Sequence, residues 1–359
     1  MKIAQVSPLF ESVPPKLYGG TERVVSYLTE ELVRLGHEVT LFASGDSITG
    51  AELVPCVPRA LRLDDAVRDP WSHHILQLER VRQRAAEFDI IHYHVDYLHF
   101  PALRGAAHKT VTTLHGRLDL PDLVPVYREF DDMPVVSISN AQRAPLPFAN
   151  WVGTVYHGLP ANLCRYTETP QGDYFAFLGR ISPEKRVDRA IEIARRAGVR
   201  LRIAAKVDAA DRTYYRERIE PLLRQPGIEY IGEIGEHEKS EFLGNARALL
   251  FPIDWPEPFG LVMIEAMSCG TPVIAWPCGS VPEVMEHGTS GYVVSSIEEA
   301  VEAVGKIDQL PRRKVREYFE RRFSARRMAE DYLRIYRRLL GEPLPADRDT
   351  TPARVYRVA

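Results

Sequence analysis

Asp254-Trp255-Pro256-Glu257-Pro258-Phe259-Gly260-Leu261-Val262-Met263-Ile264-Glu265-Ala266-Met267 is the stretch on which the reading of this chain turns. A proline-rich loop lies on one side of it and a clear helix start on the other. Two carboxylates bracket seven residues, with Glu257 before the helix and Glu265 expected two turns into it, so that they reach different parts of one extended ligand. Phe259, Gly260 and Leu261 offer backbone N–H groups where the helix dipole favours an anion. Glu265 stands amid Ile264, Ala266 and Met267, a setting in which a carboxylate rarely lacks a partner.

Outward from this stretch, short apolar runs alternate with helix-period segments, the pattern of βα units and a parallel sheet. In the second half strands are expected at Tyr174 to Leu178, Leu201 to Ala205, Ile228 to Ile231, Ala248 to Phe251 and Pro272 to Ala275, with helices such as Val187 to Arg196 and Leu261 to Ser268. In the first half they are expected at Ile3 to Val6, Val39 to Phe42, Ile90 to His92, Thr110 to Leu114, Val135 to Ile138 and Gly153 to Tyr156, with helices clearest at Thr21 to Leu35 and Ile75 to Glu87. The fold class is therefore α/β, with two doubly wound Rossmann-like domains facing across a cleft and the ligand at the carboxyl ends of the strands. The expected division is an N-terminal domain over 1–158, a linker over 159–172, a C-terminal domain over 173–322, a helix over 323–340 and a loosely ordered tail over 341–359.

Composition agrees with that division. A chain of 359 residues with 45% hydrophobic and 26% charged side chains is neither disordered, collagen-like nor disulfide-rich. Single cores stop growing at roughly 250 to 300 residues, which favours two domains. The net charge is -3, with 15 basic and 19 acidic residues before His157 and 31 and 30 after it, so neither half has the footprint of a nucleic-acid or membrane-seeking module. Cys56, Cys164, Cys269 and Cys278 form no C-x-x-C pair, and reduced, buried thiols are expected. No apolar run approaches the roughly 18 to 20 residues of a membrane span, and Met1 leads straight into a strand, so no integral membrane segment and a cytoplasmic location are expected.

Other post-strand segments carry chemistry. Gly19-Gly20 precedes a helix, where bare backbone can approach an anion. Gly179-Arg180-Ile181-Ser182-Pro183-Glu184-Lys185-Arg186 places Arg180 and Lys185 at a strand end, able to clamp a diphosphate or to form a solvated basic loop capped by Ser182. His92-Tyr93-His94-Val95-Asp96 admits a metal reading, but His94 and Asp96 fit better as the lining of an acceptor pocket, with Arg117 and Asp119 as weaker candidates. Arg80, Arg82 and Arg84 read as a solvated helix face.

Gly19-Gly20, Gly179-Arg180 with Glu184-Lys185, and Glu257 with seven residues to Glu265 together resemble the large family four of retaining glycosyltransferases, which have the two-domain GT-B fold. The resemblance extends to Ser280-Val281-Pro282-Glu283, to Gly288-Thr289-Ser290-Gly291 and to Phe323–Leu340, similar to the helix that crosses back to the N-terminal domain. It implies that Arg180 and Lys185 hold the donor diphosphate, that Gly19 and Gly20 approach it from the other domain, and that Glu265 binds the ribose hydroxyls. It implies also that Glu257, with the Phe259-Gly260-Leu261 backbone, holds the transferred sugar, and that His115 contacts that sugar from the N-terminal side. One departure is Lys206-Val207-Asp208, where many members have a glycine-rich turn; Lys206 could itself meet phosphate.

The implied activity is transfer of a hexosyl unit from a nucleoside-diphosphate sugar, UDP-sugar foremost, to a sugar or other hydroxyl acceptor. No cofactor or metal is expected, since the one Asp-x-Asp motif, Asp347-Arg348-Asp349, lies in the polar tail. Arg180, Lys185 and helix N-termini would then carry the leaving-group charge. Rival readings on the same fold are a nucleotide-sugar 2-epimerase, a sugar phosphorylase and a non-catalytic sugar-nucleotide-binding protein. The sequence leaves the oligomeric state open.

Overall fold

The computed structural model describes residues 1–16 and 19–343. Two sheets are built of parallel pairs throughout. The first comprises β1 (Lys2–Val6), β2 (Glu38–Ser44), β3 (Glu52–Val57), β4 (Ile90–Tyr93), β5 (Thr110–Thr113), β6 (Val135–Ser137) and β7 (Trp151–Thr154), in the order β3-β2-β1-β4-β5-β6-β7. The second comprises β8 (Phe175–Arg180), β9 (Leu201–Lys206), β10 (Ile228–Gly232), β11 (Leu249–Phe251), β12 (Val273–Ala275) and β13 (Gly291–Val293), in the order β10-β9-β8-β11-β12-β13. The central strands are covered by helices on both faces, which is why they read as continuous apolar runs: Ile3, Ala4, Val6, Ile90, Ile91 and Tyr93 are all fully buried.

In each sheet the strand order reverses once, between β1 and β4 and between β8 and β11. Loops leaving adjacent strands diverge to opposite faces at such a point and open a crevice at the strands' carboxyl ends. The loops carrying Gly19-Gly20, His94-Asp96, Arg180-Lys185 and Trp255-Glu257 leave those four strands.

Two strands differ from expectation by being present at all. β3 contains Pro55 and pairs only with β2, an edge place where a missing N–H is tolerated. β13 is three residues long, too short to show a period. The helix expected from Ile75 begins at Pro70, because the Asp69 carboxylate accepts the Trp71 N–H at 3.0 Å and Pro70 fits the first helical position.

After the helix Arg312–Arg322 on the C-terminal domain, the chain crosses back beside the linker: Leu159 N–H donates to Phe323 O and Ala325 N–H to Leu159 O, both at 2.8 Å. The helix Ala325–Leu339 then packs on the N-terminal sheet, with Tyr332 and Tyr336 fully buried. One apolar core runs from Ile3 and Leu28 through Leu159 and Phe323 to Met263 and Ile264. All four cysteines are free, Cys278 half-buried and the rest buried. Cys164 and Cys269, remote in sequence, meet in that core, where a hydrogen bond from Cys269 lowers the Cys164 thiol pKa. Among the described residues no helix is long and apolar enough to cross a membrane. Asp347-Arg348-Asp349 and the tail from residue 344 lie outside the described residues, as do Leu17 and Tyr18.

Candidate active site

On the C-terminal wall, β8 ends at Arg180 and a short turn, Pro183–Lys185, brings Lys185 back over the strand ends. The Lys185 ammonium reaches the Glu257 carboxylate and lies 5.2 Å from the centre of the Trp255 ring. Trp255 Nε1 donates to the same carboxylate at 2.9 Å, so Glu257, 9% exposed, has two donors. Its backbone is held from behind. Ser280 N–H donates to Glu257 O at 2.9 Å and Ser280 Oγ to Phe259 O at 2.9 Å. Gly279, at φ 58°, packs so close that a Cβ there would lie 2.3 Å from Glu257 O.

Gly260, at φ 76°, turns the chain into the helix Leu261–Ser268. The first bond of that helix is Met263 N–H to Gly260 O at 3.0 Å, and a helix start leaves the preceding N–H groups for a ligand. Glu265 is one turn into this helix, not two, because the helix begins at Leu261. Only 3% exposed, it accepts from Lys239 Nζ at 2.9 Å. Lys239 is also 3.3 Å from Glu236, which pairs with Arg23 of the opposite domain's helix Gly20–Arg34. Burial works against the Lys239 charge, but Glu265 and Glu236 outweigh it and raise its pKa. Arg180 contacts Glu184 at 3.1 Å and Asp208 at 3.2 Å, and Lys206 contacts Asp208 at 3.1 Å. Burial opposes ionisation of Asp208, yet its bonds to Lys206 and Arg180 hold its pKa below the usual carboxylate range. Ser182 makes no cap; its hydroxyl is buried without a partner.

Three imidazoles stand together on the N-terminal wall. His115, just past β5, has its Nε2 2.8 Å from His94 Nδ1. Its ring stacks on His157 with centroids 5.3 Å apart, and Phe259 of the other domain meets His157 edge-on at 4.8 Å. Burial lowers His115 to about 3 and holds His94 and His157 well below the usual imidazole range, so these three side chains are neutral at physiological pH. Both His94 nitrogens are engaged, by His115 and by Gln5 Oε1 at 2.8 Å, which leaves neither for a metal. Among the described residues no group of three His, Cys, Asp or Glu side chains is placed to hold a metal ion. Asp96 adopts φ 51°; solvent reaches its side chain inside the cleft, yet desolvation by the protein around that concave site raises its carboxyl to about 6. Arg117 is exposed and bonded to Asp119 at 2.7 Å.

His115, Glu257, Arg180, Lys185, Gly19, Gly20, Lys206, Phe259, Gly260, Leu261, Glu265, His94, Asp96 and Arg117 all line one cleft between the domains, of about 670 Å³. The domains already approach there: a Cβ on Gly20 would lie 3.8 Å from Leu261 Cδ1. Sequence reasoning passed over Lys239, Arg23, His157 and Glu22, which line the same cleft, and Gly279 and Gln5 behind it. The unpartnered setting of Glu265 asked for a cation but did not say which one. Phe10 and half-exposed Trp71 add an aromatic edge at the N-terminal mouth, ring centroids 5.8 Å apart.

Residues 166–323 match the family described as glycosyl transferases group 1, and residues 18–164 match glycosyltransferase family 4. Alpha-maltose-1-phosphate synthase of Mycolicibacterium smegmatis is 31% identical over 185 residues, 46% of this chain and 47% of that protein, so the chain spans about half the length of that relative. Phosphatidyl-myo-inositol mannosyltransferase of Mycobacterium leprae is 24% identical over 376 aligned residues, covering 94% of this chain and 96% of that one. A solved glycosyltransferase involved in avilamycin A biosynthesis superposes with a TM-score of 0.72 at 26% identity, over 95% of this chain and 98% of that one. With both halves matched and the two sheets meeting at a switch-point cleft, the chain belongs to the group 1 glycosyltransferases of family four, with the GT-B fold.

Proposed function

We propose that the chain is a retaining, metal-independent glycosyltransferase that moves a hexosyl unit from a nucleoside-diphosphate sugar, UDP-sugar first among the candidates, to a hydroxyl acceptor. The observation that carries this reading is the pair of cation–carboxylate contacts, Lys185 with Glu257 and Lys239 with Glu265, one on each side of a single helix start in the interdomain cleft. On donor binding, Lys185 and Arg180 exchange carboxylate partners for the diphosphate oxygens. Glu257 is thereby released to accept hydroxyl hydrogens of the sugar, and Glu265 those of the ribose.

As the glycosidic bond breaks, negative charge grows on the departing phosphate, where Arg180, Lys185 and the helix N-terminus after Gly260 oppose it. Lys206 adds a further cation at the β9 end. Opposite, neutral His115 can hydrogen-bond a hydroxyl of the sugar without competing for the diphosphate. Acceptor attack on the same face, with a departing phosphate oxygen taking the hydroxyl proton, gives retention. His94, Asp96 and Arg117 border the acceptor's approach.

Thermal-shift titration with UDP, GDP and ADP, then with their sugars, tests the donor site, because a ligand that binds only the folded state stabilises it by mass action. A shift with one nucleotide, followed by an acceptor-dependent product of unchanged anomeric configuration in the presence of EDTA, is expected. A product of inverted configuration, or loss of turnover with EDTA, overturns retention or metal independence respectively. Conversion of the donor sugar without acceptor would favour the epimerase. No response to any nucleotide would overturn the donor assignment.

A further inference from the structure

Behind His115 a chain of buried polar groups runs through the N-terminal sheet to the returning helix. Gln5 on β1, fully buried, lies between His92 of the neighbouring β4 and His94 just past its end. Its Oε1 bonds His94 Nε2 at 2.8 Å; its Nε2 bonds Tyr336 Oη at 3.3 Å and is 3.5 Å from His92 Nδ1. His92 Nδ1 is 2.7 Å from Tyr336 Oη, and His92 Nε2 is 2.7 Å from Thr113 Oγ1, which meets Tyr332 Oη at 2.9 Å.

The sense of these bonds is set at the amide. A primary amide carries two N–H hydrogens at one end and only lone pairs at the other, and a site without solvent favours the orientation that satisfies both hydrogens. The Nε2 end of Gln5 donates to Tyr336 Oη and lies, at 3.5 Å, near the His92 Nδ1 lone pair that it shares with the Tyr336 hydroxyl, whereas the Oε1 end bonds the single nitrogen of His94. The proton order then follows. Tyr336 accepts from Gln5 and donates to His92 Nδ1, and His92 Nε2–H donates to Thr113. On the other side His94 Nε2–H donates to Gln5, so His94 Nδ1 is an acceptor and His115 must donate to it from Nε2.

We propose that Gln5, oriented by Tyr336 of the returning helix, acts through His94 to hold His115 in the tautomer protonated at Nε2, so that Nδ1 presents a lone pair and accepts a hydrogen bond from a hydroxyl of the transferred sugar. Gln5, His94 and Tyr336 are positioning residues; none touches the reacting atoms. Burial of these imidazoles in the neutral form keeps the order intact over the physiological pH range. The assignment deepens the transferase reading and rests on it for the identity of the hydroxyl donor, but the tautomer itself does not.

The experiment uses full-length protein with nitrogen-15-labelled histidine, without substrate, alongside steady-state kinetics on whichever donor the thermal-shift screen identifies. In the wild type, His115 Nε2 is expected to be protonated and Nδ1 bare. Gln5→Leu and Tyr336→Phe, which removes one hydroxyl and changes little volume, should each mix the His115 tautomers and lower kcat/KM for the donor about tenfold, the size of one hydrogen bond. A His115 protonated at Nδ1 in the wild type overturns the proposal. So do unchanged nitrogen signals in both Gln5→Leu and Tyr336→Phe, whatever their effect on melting temperature. If the nitrogen signals follow the expected pattern but the wild type turns over no nucleotide sugar, the positioning chain stands and the transferase reading falls.

Discussion

Along the C-terminal wall of the cleft, cations stand against carboxylates, Lys185 against Glu257, Lys239 against Glu265 and Arg180 against Glu184 and Asp208, whereas the N-terminal wall, which also carries Glu22, Arg23 and Arg117, presents three uncharged imidazoles, His94, His115 and His157. Both walls bury polar groups, and each meets the cost differently. Paired charges can exchange partners, since an ammonium that leaves a carboxylate for a phosphate gives up one ion pair for another. Desolvated imidazoles lose their proton instead and keep only directional hydrogen bonds. A diphosphate is thus drawn to the cations of the C-terminal wall, while the three imidazoles opposite can sort hydroxyls without themselves attracting the phosphates.

The comparison breaks most readily at Lys185 and Glu257. Lys185→Ala and Glu257→Ala should each remain folded by circular dichroism and lose turnover about a hundredfold to a thousandfold, the usual loss when one preorganised charge contact is removed. The exchange Lys185→Glu with Glu257→Lys re-forms an ion pair in the empty cleft but reverses its order, and it should stay inactive. Recovery of turnover in the exchanged protein would show that the pair serves stability and not the donor.

Gly279→Ala probes the same wall from behind. The added Cβ meets Glu257 O and N at 2.3 and 2.4 Å, so the loop carrying Glu257 must move. Overpacking of this kind costs about 1–3 kcal/mol, read as a lower melting temperature, and turnover should fall along with it. A variant of unchanged rate would mean that Glu257 need not be held so closely. Glu265→Gln should act more mildly: it keeps hydrogen-bonding capacity but uncouples Lys239, and nucleotide affinity by calorimetry should weaken about tenfold.

What the sequence disclosed follows the same division. The helix Leu261–Ser268 and the role-bearing positions around it were legible because Pro256, Pro258 and Gly260 punctuate the chain and a carboxylate among apolar residues demands explanation. The parallel sheets were legible because Ile3–Val6 and Ile90–His92 are apolar runs too short for helices. Lys239 was not, since the helix Glu236–Gly244 carries no clear apolar stripe and the pairing with Glu265 exists only in three dimensions. The bond between Gln5 and Tyr336 joins residues 331 apart, and no local pattern announces it. Pair partners and tautomers belong to tertiary contact, which is why the walls' difference in charge emerged only with the fold.

Asp96 sharpens the contrast, a carboxylate on the same wall as the neutral imidazoles, raised by desolvation from the ordinary 3.8 to about 6. Because its folded pKa exceeds its unfolded one, the folded state holds the proton more tightly between those values. Stability is therefore lost as pH climbs from about 4 to 6, and the penalty stays constant above that. Asn at this position cannot ionise, so Asp96→Asn should melt higher than wild type at pH 8, with the gap closing as the pH falls toward 4. Transfer should show the opposite sign if the ionised carboxylate receives the acceptor hydroxyl: kcat/KM for acceptor rises through pH 6 in the wild type and loses that limb in Asp96→Asn. His115, held near 3, does not titrate in that window, and Glu22, a second cleft carboxylate raised by burial, is the group that the substitution separates from Asp96. A limb that survives the substitution would assign the ionisation to Glu22, to the acceptor or to the charged wall and return Asp96 to a purely conformational role at its φ of 51°.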